Sequence, residues 1–197
     1  MQRWITLPCL AAALALSGCA STRLVDSDVQ AFAHWDAPHT TPDTYRFERL
    51  PSQQAQGDAQ ATIEAQAAQA LAKVGLHPAA DGTAPSYRVQ VHARTERQRT
   101  PGGYDPWWGW GGWGWGSGHG FYGGLSMRLA PPPTYRSEVS LVLRQASSGA
   151  VVYETHAVHE GVWSDDQAVL GALFEAALDG FPRPPAGLRR IHREIPR

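Results

Sequence analysis

Strict alternation of apolar and polar residues constrains this fold more than any other feature of the sequence. In "YRVQVHARTE", Tyr87, Val89, Val91 and Ala93 take one side, and Arg88, Gln90, His92 and Arg94 take the other. In "YRSEVSLVLR", Val139, Leu141 and Leu143 alternate with Glu138, Ser140 and Arg144. Successive side chains of a strand point to opposite faces, so each stretch predicts a strand with one dry face and one wet face. "VVYETHAV" follows a turn at residues 147–149, which makes the second stretch and this one a hairpin. "TYRFERL", at 44–50, sets Tyr45 and Phe47 against Arg46 and Glu48. Sheets with one solvated face are typically antiparallel.

The dry face needs a cover, and two helical segments supply one. Ile63, Ala67, Leu71 and Val74 recur at helical spacing, with Asp58 as the expected N-cap and Gly75 as the glycine that ends the helix. Leu170, Leu173, Phe174, Ala177, Leu178 and Phe181 make a second, broader stripe. Residues 164–167, Ser-Asp-Asp-Gln, have the form of a capping box before it. "PSQQAQG" reads as a loop, residues 25–32 as a short strand, and "LRRIHREI" as either an edge strand or a basic tail. The predicted fold is α+β: a two-layer sandwich, a largely antiparallel sheet with two helices on one face, in the order β-α-β-β-β-α-(β).

The N-terminal segment reads as an address. Residues 1–18 carry Arg3, then an apolar run to Leu16, too short to span a bilayer alone and shaped like a secretory signal. Leu16-Ser17-Gly18-Cys19 resembles the bacterial lipobox, which implies that Cys19 is lipidated and becomes the first residue of the mature chain. The other cysteine, Cys9, lies in the removed segment, so lipidation also accounts for an otherwise lone thiol. Ala20 after the cysteine implies the outer membrane, facing the periplasm. Residues 19–43 then form a lipidated tether and N-terminal segment, and residues 44–197 an α+β periplasmic domain. Without Arg3, the seventeen lysines and arginines become sixteen against eighteen acidic residues, a balance with no global bias toward nucleic acid.

The lipobox, "TYRFERLPSQQ", "YRVQV", "YRSEVSLVLR", "SSGAVVYE" and "ALFEAALDGFP", in this order, resemble the DUF4136 family of bacterial envelope lipoproteins. The resemblance covers most of the mature chain outside residues 101–133. It implies a fold and a location, and it carries over no catalytic residues.

Residues 101–133 are an insertion in a strand connection. Trp107, Trp108, Trp110, Trp113 and Trp115 stand there among glycines, with no formal charge from Pro106 to Met127. A turn at Gly111-Gly112 would set Trp110 against Trp113 and Trp108 against Trp115, but interior glycines offset the gain from such pairs. The stretch reads first as a passive low-complexity loop. The other readings are a contact at membrane headgroup level or an aromatic platform for a glycan or partner. Gly109, Gly111 and Gly114 fit the dinucleotide fingerprint in letter only, because tryptophans fill positions between them and glycines continue where the helix should start. Ser117 and His119 lack a third orienting group. His156 and His159, three apart on a strand, face opposite ways and cannot share a metal ion.

The remaining candidate is the wet face of the sheet, with Arg88, His92, Arg94, Arg136 and Arg144, beside Gln90, Glu138, Glu154 and His156. It reads as a mostly cationic surface for an anionic glycan or an envelope protein. The expected function is thus a lipid-anchored lipoprotein with a non-catalytic binding or envelope-maintenance role, needing no cofactor and no metal and contacting the membrane through its lipid. The alternative is a periplasmic hydrolase with an unrecognised site.

Overall fold

The computed structural model describes residues 22–35, 43–98, 133–163 and 166–196. Cys19, the tryptophans of the insertion, and Ser164 and Asp165 of the expected capping box lie outside them. The described chain is an α+β fold of seven strands and three helices: β1 (Thr22–Ala33), β2 (Asp43–Phe47), α1 (Pro51–Ala55), α2 (Asp58–Lys73), β3 (Leu76–Pro78), β4 (Tyr87–Gln98), β5 (Thr134–Gln145), β6 (Val151–Gly161), α3 (Asp166–Ala177) and β7 (Arg189–Pro196). The strands form one sheet in the order β3-β2-β4-β5-β6-β1-β7.

The alternation holds along the central strands. Val89, Val91 and Ala93 of β4 are buried, as are Val139, Leu141 and Leu143 of β5, while Arg88, His92 and Arg94 are exposed. On β6 the pattern slips once. Leu143 pairs with Tyr153 but Arg144 pairs with Val151, so Val152 is an extra residue, and both Val152 and Tyr153 turn inward. Beyond that bulge, Thr155, Ala157 and His159 are buried and Glu154 and His156 exposed.

Helix α3 packs against β1, β5, β6 and β7, and α2 packs against α3, β3 and β4. Leu173, Phe174, Ala177 and Leu178 of the expected stripe are buried, and Leu170 and Phe181 are half-buried at its margin. Tyr153 and Thr155 both donate hydrogen bonds to the Ala177 carbonyl, at 3.2 and 2.8 Å, and so tie β6 to the last turn of α3.

Four expectations are corrected. The order β-α-β-β-β-α-(β) gives way to β-β-α-α-β-β-β-β-α-β, because the N-terminal strand runs for twelve residues and Leu76–Pro78 adds a short edge strand. The sheet is largely antiparallel, as expected, yet mixed: β2 runs parallel to both β3 and β4, since the chain crosses over through α1 and α2 before β3. "PSQQA" is helical, not a loop. Pro51 begins α1, and Gln53 accepts the Leu50 N–H at 2.9 Å to close its first turn. Gly57, not Asp58, occupies the N-cap of α2. In the α2 stripe Ala67 and Leu71 are buried but Ile63 and Val74 only partly, because Gln60 and Glu64 turn inward beside them. Gly75 does end α2, with φ of 85°. "LRRIHREI" resolves as the edge strand β7, paired antiparallel with β1 from Thr22 to Val29.

Candidate functional site

The cross-strand register assembles the open face row by row. Arg46 of β2 stands opposite Arg88 of β4, and Arg88 opposite Arg144 of β5. Neighbouring strands lie only about 4.8 Å apart, so three guanidinium-bearing residues follow one another across the sheet. In the next row on this face Gln90 pairs with Val142 and Val142 with Glu154. Then comes His92–Ser140–His156. Nearer the far end, Arg94 faces Glu138, and Arg136 lies between Glu96 and Glu160.

All five expected residues, Arg88, His92, Arg94, Arg136 and Arg144, therefore share one face. Their electrostatic settings differ. Arg94 bonds Glu138 at 3.2 Å and Glu96 at 3.0 Å, and Arg136 reaches Glu160 at 2.8 Å and Glu138 at 3.7 Å. That end of the face is a balanced ionic lattice rather than a cationic surface. Toward the edge of the sheet Arg190 bonds Asp28 at 3.0 Å. This hydrogen bond holds the Asp28 carboxyl below the usual carboxylate range and raises the Arg190 guanidinium. His192 donates from Nδ1 to Asp26.

At the arginine row the balance is different. Among the described residues Arg88 has a single carboxylate partner, Glu48, at 3.5 Å. Arg46 donates to the Thr83 and Ala80 carbonyls at 3.0 and 3.5 Å, which fixes its head without neutralising it. Arg144, half-buried, has no ion-pair partner among the described residues. A shallow cleft of about 260 Å³ opens beside the row, lined by Arg46, Phe47, Glu48, Pro85 and Arg88. A second, of about 580 Å³, lies across Arg46 and is lined in part by Arg49, Gln54, Glu64 and Asp81. Such an arrangement can accept a multivalent anion through guanidinium N–H groups, which match carboxylate and phosphate oxygens in pairs.

Two groups of residues were not foreseen as a site. Arg46 was visible as the polar member of an alternating strand, but its place beside Arg88 depends on the parallel β2–β4 register, which no local pattern encodes. The second group lies beneath α1. Arg49 donates from Nε and Nη2 to the two carboxylate oxygens of Glu64, each at 2.7 Å, and the pair raises the arginine above its ordinary value. Gln53 and Gln60 donate to the Val91 carbonyl at 2.6 and 3.3 Å. These side chains fasten the helices to β4, and Glu64 is 8 % exposed, so they are structural.

The histidine pair behaves as its spacing requires: His156 is exposed on the open face and His159 buried on the other. His159 donates from Nδ1 to the Asp26 carbonyl at 2.7 Å. A Cβ at Gly161 would fall 2.6 Å from its Nε2, so glycine there keeps the ring in place. Burial pushes the Tyr45 and Tyr153 hydroxyls up to about 12; Tyr87 reaches the same value through burial and the charge of Asp43. These groups belong to the core. Among the described residues no group of His, Cys, Asp and Glu converges as a metal site, and no helix is long and apolar enough to cross a membrane.

The family described as "Domain of unknown function (DUF4136)" matches residues 25–183. No curated protein matches the chain. Among solved structures, the PelC dodecamer from Paraburkholderia phytofirmans is 15% identical, with 80% of this chain and 99% of that one covered at a TM-score of 0.46. A PDZ domain protein from Parabacteroides distasonis is 12% identical, with 94% of this chain and 42% of that one covered at a TM-score of 0.50.

Proposed function

The chain belongs to the DUF4136 family, and from that premise we propose that it is a lipid-anchored, periplasm-facing lipoprotein of the outer membrane that acts by binding, not catalysis. Its ligand is an anionic envelope glycan, held on the open sheet face at Arg46, Arg88 and Arg144. The domain is a two-layer sandwich in which the helices support one face and leave the other for this contact. Cys19 carries the anchor, as the lipobox reading of the sequence suggests. Trp107, Trp108, Trp110, Trp113 and Trp115 remain candidates for an auxiliary contact with headgroups or glycan, although the passive-loop reading asks least of them.

The arginine row is the observation that carries this reading. Like charges on neighbouring strands disfavour the sheet, so a row of three with one carboxylate between them is a cost that an anionic ligand would offset. The test uses the soluble form made by Cys19→Ser and purified peptidoglycan fragments. Wild-type side chains should bind in low salt and release as salt screens the contact. Arg88→Ala with Arg144→Ala should weaken binding by about tenfold or more, equal to about 1.4 kcal/mol. Arg88→Ala alone should move stability by about 0.5 kcal/mol or less, as exposed sites do. Unchanged binding by the double variant would remove the open face from the proposal. In cells, a clickable palmitate analogue should label the wild type and not Cys19→Ser.

A further inference from the structure

One end of the sheet gathers features that the glycan reading does not use. β1 begins there at Thr22, opposite Pro196 at the end of β7. β4 ends there at Gln98, opposite Thr134 at the start of β5, and β6 ends there at Gly161, opposite Tyr135. Large apolar side chains are exposed at this end: Leu24 at 53 %, Val162 at 48 % and Trp163 at 39 %. Asp28 pairs with Val158, and the same antiparallel register carried on toward Thr22 sets Leu24 opposite Val162 and Arg23 opposite Trp163. The Arg23 guanidinium does lie 5.1 Å from the centre of the Trp163 ring, and its N–H groups bond the Pro196 carbonyl at 3.3 and 3.2 Å. Leu24 and Val162 thus form a patch on the open face, and Trp163, with Arg23 stacked on it, lies behind them on the other face of the same end.

Exposed apolar residues alone do not decide what covers them, because the opposite end also exposes Phe32 and Val151. The chain connection decides it. Cys19 precedes Thr22 by three residues. Three residues span at most about 10 Å, so a lipid on Cys19 holds the start of β1 at the membrane surface whatever path the chain takes.

We propose that this end of the sheet rests on the phospholipid surface, with Leu24, Val162 and Trp163 at headgroup depth. The occupant of the patch is the bilayer. Tryptophan is favoured at that depth. The arginine row then faces away from the membrane: Arg88 lies ten residues before Gln98 along β4, about 33 Å in an extended strand. The inference rests on the lipid-anchor reading of Cys19 and adds a fixed orientation to it.

The experiment uses the processed, lipidated full-length chain in vesicles of phosphatidylethanolamine and phosphatidylglycerol. Leu24→Cys, Val162→Cys, Phe32→Cys and Val151→Cys are each labelled with a polarity-sensitive fluorophore; all four positions are exposed, so the label leaves the core intact. Nitroxide-bearing lipids should quench the probes at 24 and 162 several-fold more than those at 32 and 151, and only the first two should shift to the blue. Equal quenching at both ends, or stronger quenching at 32, overturns the orientation. Flotation of unlabelled protein with the vesicles is measured first. Loss of flotation overturns the anchor and the orientation together, whereas flotation with uniform quenching overturns the orientation alone.

Discussion

The two ends of the open sheet face are built from the same strands and carry opposite electrostatic designs. At one end Arg46, Arg88 and Arg144 follow one another across β2, β4 and β5, with Glu48 as the single carboxylate bonded to them among the described residues. At the other, Arg94 and Arg136 are enclosed by Glu96, Glu138 and Glu160. Arg88 and Arg94 are alike in chemistry and in exposure, at 55 % and 51 % of the side chain. What separates them is the residue across the ladder, arginine in one case and glutamate in the other. Alternation along a strand puts a residue on a face. Register between strands gives that face its charge.

The largest expected effect tests whether the two ends are comparable at all. Both include β5, which is backed by α3, and Phe174 of that helix is fully buried. Phe174→Ala should cost about 3–5 kcal/mol as a core truncation. It should lower hydrogen-exchange protection in β4 and β5 at both ends together. If the arginine end opened while the balanced end kept its protection, the two would be separate folding units. The charge contrast would then be confounded with local stability.

The contrast also marks where the sequence was legible. Alternation in β4 and β5 and the stripe from Leu170 to Phe181 told which side of each element is dry, since burial repeats with the period of the element. The parallel placement of β2 beside β4 was not legible, because a crossover through α1 and α2 leaves no local trace of its destination. The Arg49–Glu64 pair was hidden for a related reason: Glu64 sits at a helical core position where the pattern calls for an apolar residue, and its partner comes from a separate segment. The expected residues share one face, but which of its arginines stand opposite carboxylates was not legible, because only the register pairs Arg94 with Glu138 and Arg136 with Glu96 and Glu160.

A reciprocal pair of substitutions should exchange the characters of the two ends. Arg144→Glu puts a carboxylate opposite Arg88, and a cross-strand pair of opposite charge adds roughly 0.2–1 kcal/mol. The variant should melt slightly higher and lose anion binding. Glu138→Gln removes the carboxylate shared by Arg94 and Arg136. It should cost a similarly small amount, because the arginine side of each pair is open to solvent, and should create weak, salt-sensitive anion binding where there was none. Calorimetry with one polyanion on both variants reads both changes. Binding that survives Arg144→Glu, or fails to emerge in Glu138→Gln, breaks the link between register and charge.

The smallest effect concerns pH and separates the ends by sign. Asp28, bonded to Arg190 beside the balanced end, has its carboxyl held below its usual value of 3.8 by that hydrogen bond. A carboxyl whose folded value is depressed stabilises the fold above the unfolded value, and the contribution disappears as pH falls through the folded one. Asp28→Asn should therefore lower the urea midpoint slightly near pH 5, and the gap from wild type should close toward pH 2. High salt should narrow the same gap, because the pair is exposed. Arg144 has no ion-pair partner among the described residues. The difference between Arg144→Gln and wild type should then stay constant over the same acid range. A gap at Arg144 that closed in step with that at Asp28 would show that the arginine row draws on carboxylates too, and the two ends would differ in degree only.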